Sequence, residues 1–197
     1  MTLRTYTATL AGCALLALCG SSLAQHTSTY ASDGRVNHMF RPVSGLNSHD
    51  SEFLTSAVNT LRFEIESAKL ASLHGSSAFT KEYASEMTTD HESSLEELKQ
   101  VCTLKGVPLP DDLPVSMQHT INYLAKLDGA EFDQAYRRSQ INGHSSASTR
   151  FKDEIDNGRD EDVKGYAVKT LPAITTHYKM ALTGQTTMGS TRAEHGL

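Results

Sequence analysis

The sequence predicts an all-α protein: four long amphipathic helices in an up-down bundle, with one long crossover that carries a short extra helix. Three observations predict it. Apolar residues recur at helical spacing in four separate segments. No run alternates with period two over a strand's length. The connections between the segments are short, then long, then short, the pattern of a bundle with one crossover.

The first helix is expected to start near Ser51, capped by Asp50 or Ser51. Leu54, Ala57, Val58, Leu61, Ile65, Ala68 and Ala71 form its apolar stripe, and His74-Gly75 should end it with a left-handed glycine. The second follows Ser76-Ser77 and runs to Lys105-Gly106, with Ala84, Met87, Leu95 and Leu98 facing in. Residues 107–114 hold prolines and Asp111-Asp112 and cannot be helical throughout. A short helix over about 115–127 faces in through Met117, Ile121 and Leu124, and Asp128-Gly129 breaks it. The third long helix spans about 130–156, with Phe132, Tyr136, Ile141, Ala147, Phe151 and Ile155 inside and Asn157-Gly158 at its end. The fourth begins near Asp160 and presents Val163, Ala167, Leu171, Ile174, Tyr178 and Ala181, with Pro172 predicting a kink and Gly184 the stop.

The chain has 197 residues, enough for one domain with a real core. A net charge of −5 gives no argument for nucleic acid or an anionic membrane as partner. With no Trp and 7% aromatics, base-stacking platforms are not expected either. No phosphate-cradling glycine loop or nucleophile elbow occurs. No helix presents a Ser/His/Asp set with a credible third member, which disfavours hydrolase chemistry.

Residues 1–24 read as a secretory signal. Arg4 gives the positive start, residues 10–18 are apolar but too short to span a bilayer, and Ser22 and Ala24 are the small residues before cleavage. Leu10-Ala11-Gly12-Cys13 resembles a lipobox, which would lipidate Cys13. Almost no apolar run precedes it, so cleavage after Ala24 is the expectation. The mature protein is then periplasmic or secreted. Cys13 and Cys19 leave with the signal, so Cys102 has no intramolecular partner and reads as a small buried hydrophobe. Residues 25–50 read as a flexible linker with solvated His26, His38 and His49, residues 51–183 as the bundle, and residues 184–197 as a polar tail.

One constellation stands out. Glu64, His91, His144 and His177 each fall on the apolar stripe of a different long helix. By distance from the connecting loops, Glu64 and His91 miss level by about six residues, or ~9 Å, and His144 and His177 by about four, or ~6 Å. Helical side chains lean toward their own N-terminus, which closes both gaps. Three imidazoles and a carboxylate would suit one zinc, copper or iron ion. A carboxylate-bridged di-iron centre is disfavoured. It needs Glu-x-x-His on two helices, whereas Thr88, Ile141 and Ile174 stand three residues before the histidines. Asp90 and Glu154 are candidates to orient an imidazole. His119 reads as a surface residue, and Arg137-Arg138 as partners of nearby acids.

The stretch FLTSAVNTLRFEIESAKLA, the Asp90-His91 pair, residues 129–136 (GAEFDQAY), His144, and Leu171-Pro172 followed by His177 resemble the bacterial "domain of unknown function 4142" family. The resemblance covers about residues 52–182. It implies a ferritin-like fold and export, places Glu64, His91, His144 and His177 at positions where the family carries the same residue types, and supplies no reaction. Three readings stay open. The first is an exported module holding one transition metal on those four residues. The second is a metal-dependent redox enzyme, which needs an open coordination position. The third is a metal-free interaction or structural protein, in which the four residues form a buried polar network that sets bundle register. The sequence carries no signal for oligomeric state.

Overall fold

The computed structural model describes residues 45–186, which form five helices and no strand. The expected signal segment, all but the last residues of the expected linker, and the tail beyond residue 186 lie outside the described residues. In chain order the helices are α1 (Ser48–His74), α2 (Ala78–Lys105), α3 (Val115–Leu124), α4 (Gly129–Asn157) and α5 (Glu161–Thr183). The four long helices are the ones the periodicity predicts. Among the described residues no helix is long and apolar enough to cross a membrane.

Three of the five helices start where a side chain takes an orphan N–H group. Asn47 accepts from Asp50 N, Ser77 from Thr80 N, and Asp160 from Asp162 N and Val163 N. Each such cap is worth roughly 1 kcal/mol. The start of α1 corrects the sequence reading: the helix begins before the expected cap, and Asp50 is buried inside its first turn. Its carboxylate accepts from Arg159 N at 3.0 Å and Asp160 N at 2.9 Å, tying α1 to the α4–α5 turn. A capping signal three residues upstream wins because Asp50 has this tertiary partner.

Two expected left-handed glycine stops are also corrected. Gly106 and Gly184 have φ of 65° and 72°, as a left-handed cap requires, but Gly75 and Gly158 are extended. Gly75 and Gly158 are needed for space. A Cβ on Gly75 would lie 2.5 Å from Ala71 O, and one on Gly158 would lie 2.2 Å from a Glu154 carboxyl oxygen.

α1 packs mainly on α2, and α4 on α5. α1 also meets α4, α2 meets α5 more sparingly, and α3 lies against α1 and α4. The core divides into two apolar clusters. One gathers Phe53, Leu54, Val58, Leu61, Leu98, Phe151, Val163 and Ile174, and the other Tyr83, Met87, Leu124, Phe132, Tyr136 and Met180. Along every long helix the break between clusters falls at a polar buried residue. These are Glu64 on α1, His91 on α2, Gln140 and His144 on α4, and His177 on α5. Burying the ionisable members of such a layer without partners would cost several kcal/mol, so its chemistry is the question the fold poses. Cys102 is a buried free thiol, as expected, and burial pushes its pKa up to about 11.

Candidate metal centre

The three histidines meet. One ring nitrogen from each of His91, His144 and His177 lies within 4.8 Å of the other two, and all three residues are buried. The rings of His91 and His144 stack with centroids 5.7 Å apart. The His177 ring stands edge-on to both, at 5.1 Å from His91 and 5.5 Å from His144. The offset expected between His144 and His177 along their helices does not keep their rings apart.

Two of the imidazoles are oriented by partners. His144 donates from Nδ1 to Gln140 O at 3.0 Å, which leaves Nε2 with its lone pair. His177 donates from Nε2 to Asp90 Oδ2 at 2.9 Å, and its Nδ1 is buried without a partner. The Nε2 of His91 is likewise buried and unpartnered. Burial, reinforced by the neighbouring imidazoles, holds His91 well below the usual histidine range. Burial and His177 bring His144 down to about 3. Both are therefore neutral near pH 7, the form that ligates metal.

Glu64 lines the same cavity but is not part of the group of converging donor atoms. Its side chain is 1% exposed, and burial raises its pKa to about 8 against a partial offset from the Gln140 amide. One carboxyl oxygen, Oε2, has no partner. Gly143 makes room for the other: a Cβ there would stand 2.8 Å from Oε1. The Gln140 amide also donates to Ser67 Oγ at 3.3 Å. The Tyr83 hydroxyl lies 3.4 Å from Gln140 Oε1 and 3.3 Å from His177 O. Sequence reading missed Gln140 and Gly143. Their signal was legible in part, since Gln140 continues the inner stripe Tyr136, His144, Ala147 and Phe151 as a buried polar residue one turn before His144.

The two residues proposed to orient an imidazole separate. Asp90 does so for His177. Glu154 does not reach the triad. It is wholly buried near the start of α1, with His49 Nε2 3.2 Å from Oε2. Burial and then the Asp50 carboxylate raise its pKa to about 7. His49 is thus in α1 beside Glu154, and not in a solvated linker. Arg137 pairs with carbonyls where acids were expected, donating to Ala181 O and Leu182 O at 2.7 Å each and closing the C-terminal turn of α5. His119 is exposed, as expected.

A cavity of about 280 Å³ opens beside the triad, between the α2 and α5 faces. Asp90, Ser93, Glu97, Lys169 and Ala173 stand at its wetter side, and Ala57, Leu61, Ala147, Phe151 and Ile174 form its apolar walls.

Fold and site together define a class: an all-helical domain whose polar mid-layer converges three imidazoles on one point. The chain matches the family model described as Domain of unknown function (DUF4142) over residues 39–183, and it belongs to that family. No curated protein matches it in sequence. Among solved structures it is similar to the crystal structure of a DUF305 fragment from Deinococcus radiodurans. The TM-score is 0.62 at 10% identity, over 69% of this chain and 94% of that one. At that identity the likeness concerns the helical fold alone.

Proposed function

We propose that the protein is an exported metal-binding module that holds one transition-metal ion on His91, His144 and His177, with an exchangeable position facing the cavity. The observation that carries this reading is the convergence of three ring nitrogens within 4.8 Å, with His91 Nε2 and His177 Nδ1 buried and unpartnered. A metal-free network should have satisfied those atoms, since each orphaned buried polar group costs about 1–3 kcal/mol. An equilateral triangle of that side has its centre ~2.8 Å from each corner. Shifts of ~0.7 Å or less would therefore bring the donors to the ~2.1 Å of a metal–imidazole bond. Asp90 on His177 and the Gln140 carbonyl on His144 are the outer partners that metal-ligating histidines carry.

An all-imidazole set suits zinc, copper(II) or iron, and the general affinity order places copper(II) first. The adjoining cavity favours an open site over a closed structural one. Residues 1–24 support export. The test is elemental analysis of the mature protein from its exported location, followed by titration with copper(II) and zinc. About one equivalent, lost in His144→Ala and in His177→Ala, is expected. A wild-type protein that carries no metal and takes none up would leave the register network as the role of the layer.

A further inference from the structure

The cavity beside the triad has two kinds of wall. Ala57, Leu61, Ala147, Phe151 and Ile174 are apolar, and Glu64 extends among them with Oε2 unpartnered although its side chain is 1% exposed. At about 280 Å³ the space falls just below the ~300–1,000 Å³ of sites for drug-sized molecules. Its charged lining side chains other than Glu64 already have partners. Asp90 holds His177 there, and Glu97 is the next carboxylate, paired outward with Lys169 at 2.8 Å. An anion would gain the charge of the bound ion, but a carboxylate such as acetate has no N–H or O–H for Glu64 Oε2, and no unpaired cationic side chain among the lining residues offsets Asp90 and Glu97. A purely apolar molecule would leave Glu64 Oε2 unsatisfied.

We propose that the cavity receives a fragment-sized, uncharged ligand that carries a metal-ligating lone pair next to an N–H or O–H group. The lone pair completes the coordination of the ion held by His91, His144 and His177. The adjacent N–H or O–H donates to the Glu64 carboxyl, and the apolar body of the ligand rests against Leu61, Ala147 and Phe151. The inference rests on the metal reading above. Glu64 is then a ligand-recognition residue and not a fourth protein donor, consistent with its place outside the converging group.

The experiment uses the Co²⁺-loaded protein, whose visible bands respond to a change in coordination. Pyrazole is the probe, because it is neutral and has a ligating nitrogen beside an N–H. 1-Methylpyrazole lacks the N–H, and acetate carries the charge. In wild type, pyrazole is expected to shift the bands and to bind at least ~10-fold tighter than either comparator, the ratio that one hydrogen bond to a buried acceptor supplies. In Glu64→Leu the preference for pyrazole over 1-methylpyrazole should fall below ~3-fold while Co²⁺ is retained. If Co²⁺ binds but pyrazole moves no band, or a comparator matches it, the ligand proposal is overturned and the metal centre stands. If Co²⁺, copper(II) and zinc all fail to bind, both are overturned; if copper(II) binds and Co²⁺ does not, the same comparison is read on the visible bands of the copper(II) protein. The wild-type comparison decides even if the variant fails to fold.

Discussion

Removing the titration of Glu64 gives a sharp test of the buried layer. In the metal-free protein its pKa lies at about 8, against the ordinary 4.5, because burial penalises the carboxylate more than the Gln140 amide rewards it. A folded-state pKa above the unfolded value means that the carboxyl is no liability below about pH 4.5. Stability is then lost as pH rises through the window up to about pH 8. At 1.36 kcal/mol per unit, the full displacement corresponds to about 5 kcal/mol, an upper bound because the site can relax or admit water. Even half of that is large beside a domain stability of roughly 5–15 kcal/mol. Glu64→Gln keeps the shape and an acceptor for Gln140 but cannot ionise. Its stability relative to wild type should therefore rise by about 2–5 kcal/mol between about pH 5 and about pH 9. Urea unfolding of both proteins in the presence of a chelator, followed by circular dichroism, measures this. Glu154 titrates in both proteins and cancels in the difference. Wild type and variant losing stability in parallel across that range would refute the reasoning, because Glu64 would then be ionised and compensated in the folded state.

Other outcomes follow from single contacts. Asp90→Asn should weaken metal binding by about 10–100-fold in calorimetric titration while leaving the fold intact, because it loosens the orientation of His177. Gly143→Ala places a Cβ 2.8 Å from Glu64 Oε1 and should lower thermal stability by about 1–3 kcal/mol. An unchanged melting temperature would show that the carboxyl moves freely. Glu154 is held at about 7 by burial and by Asp50, so Glu154→Gln should remove part of the stability loss between about pH 5 and about pH 8 in urea unfolding. If the profile of that variant superimposes on wild type, the Asp50–Glu154 repulsion is not felt.

How much of this was legible before the fold was known varies with the range of the interaction. Helix number, the proline-bearing connection and the helix ends at Gly106 and Gly184 are local matters of period and backbone freedom, and the sequence alone determined them; which glycines are left-handed it did not. It also marked the four ionisable residues on apolar stripes, because a helix period assigns each residue to a face. A period cannot tell which faces meet at one height, since height depends on crossing geometry and on the lean of each side chain. Tertiary structure therefore decided that His91, His144 and His177 converge, that Glu64 stands beside them, and that Glu154 lies far along α4 next to His49. The same limit explains Asp50, whose partners are more than a hundred residues away, and Gly75 and Gly158, whose missing side chains make room for neighbours. Gln140 reads as an ordinary polar helix residue until its amide is found between Ser67 and Glu64. Only packing brings α1 close enough for that.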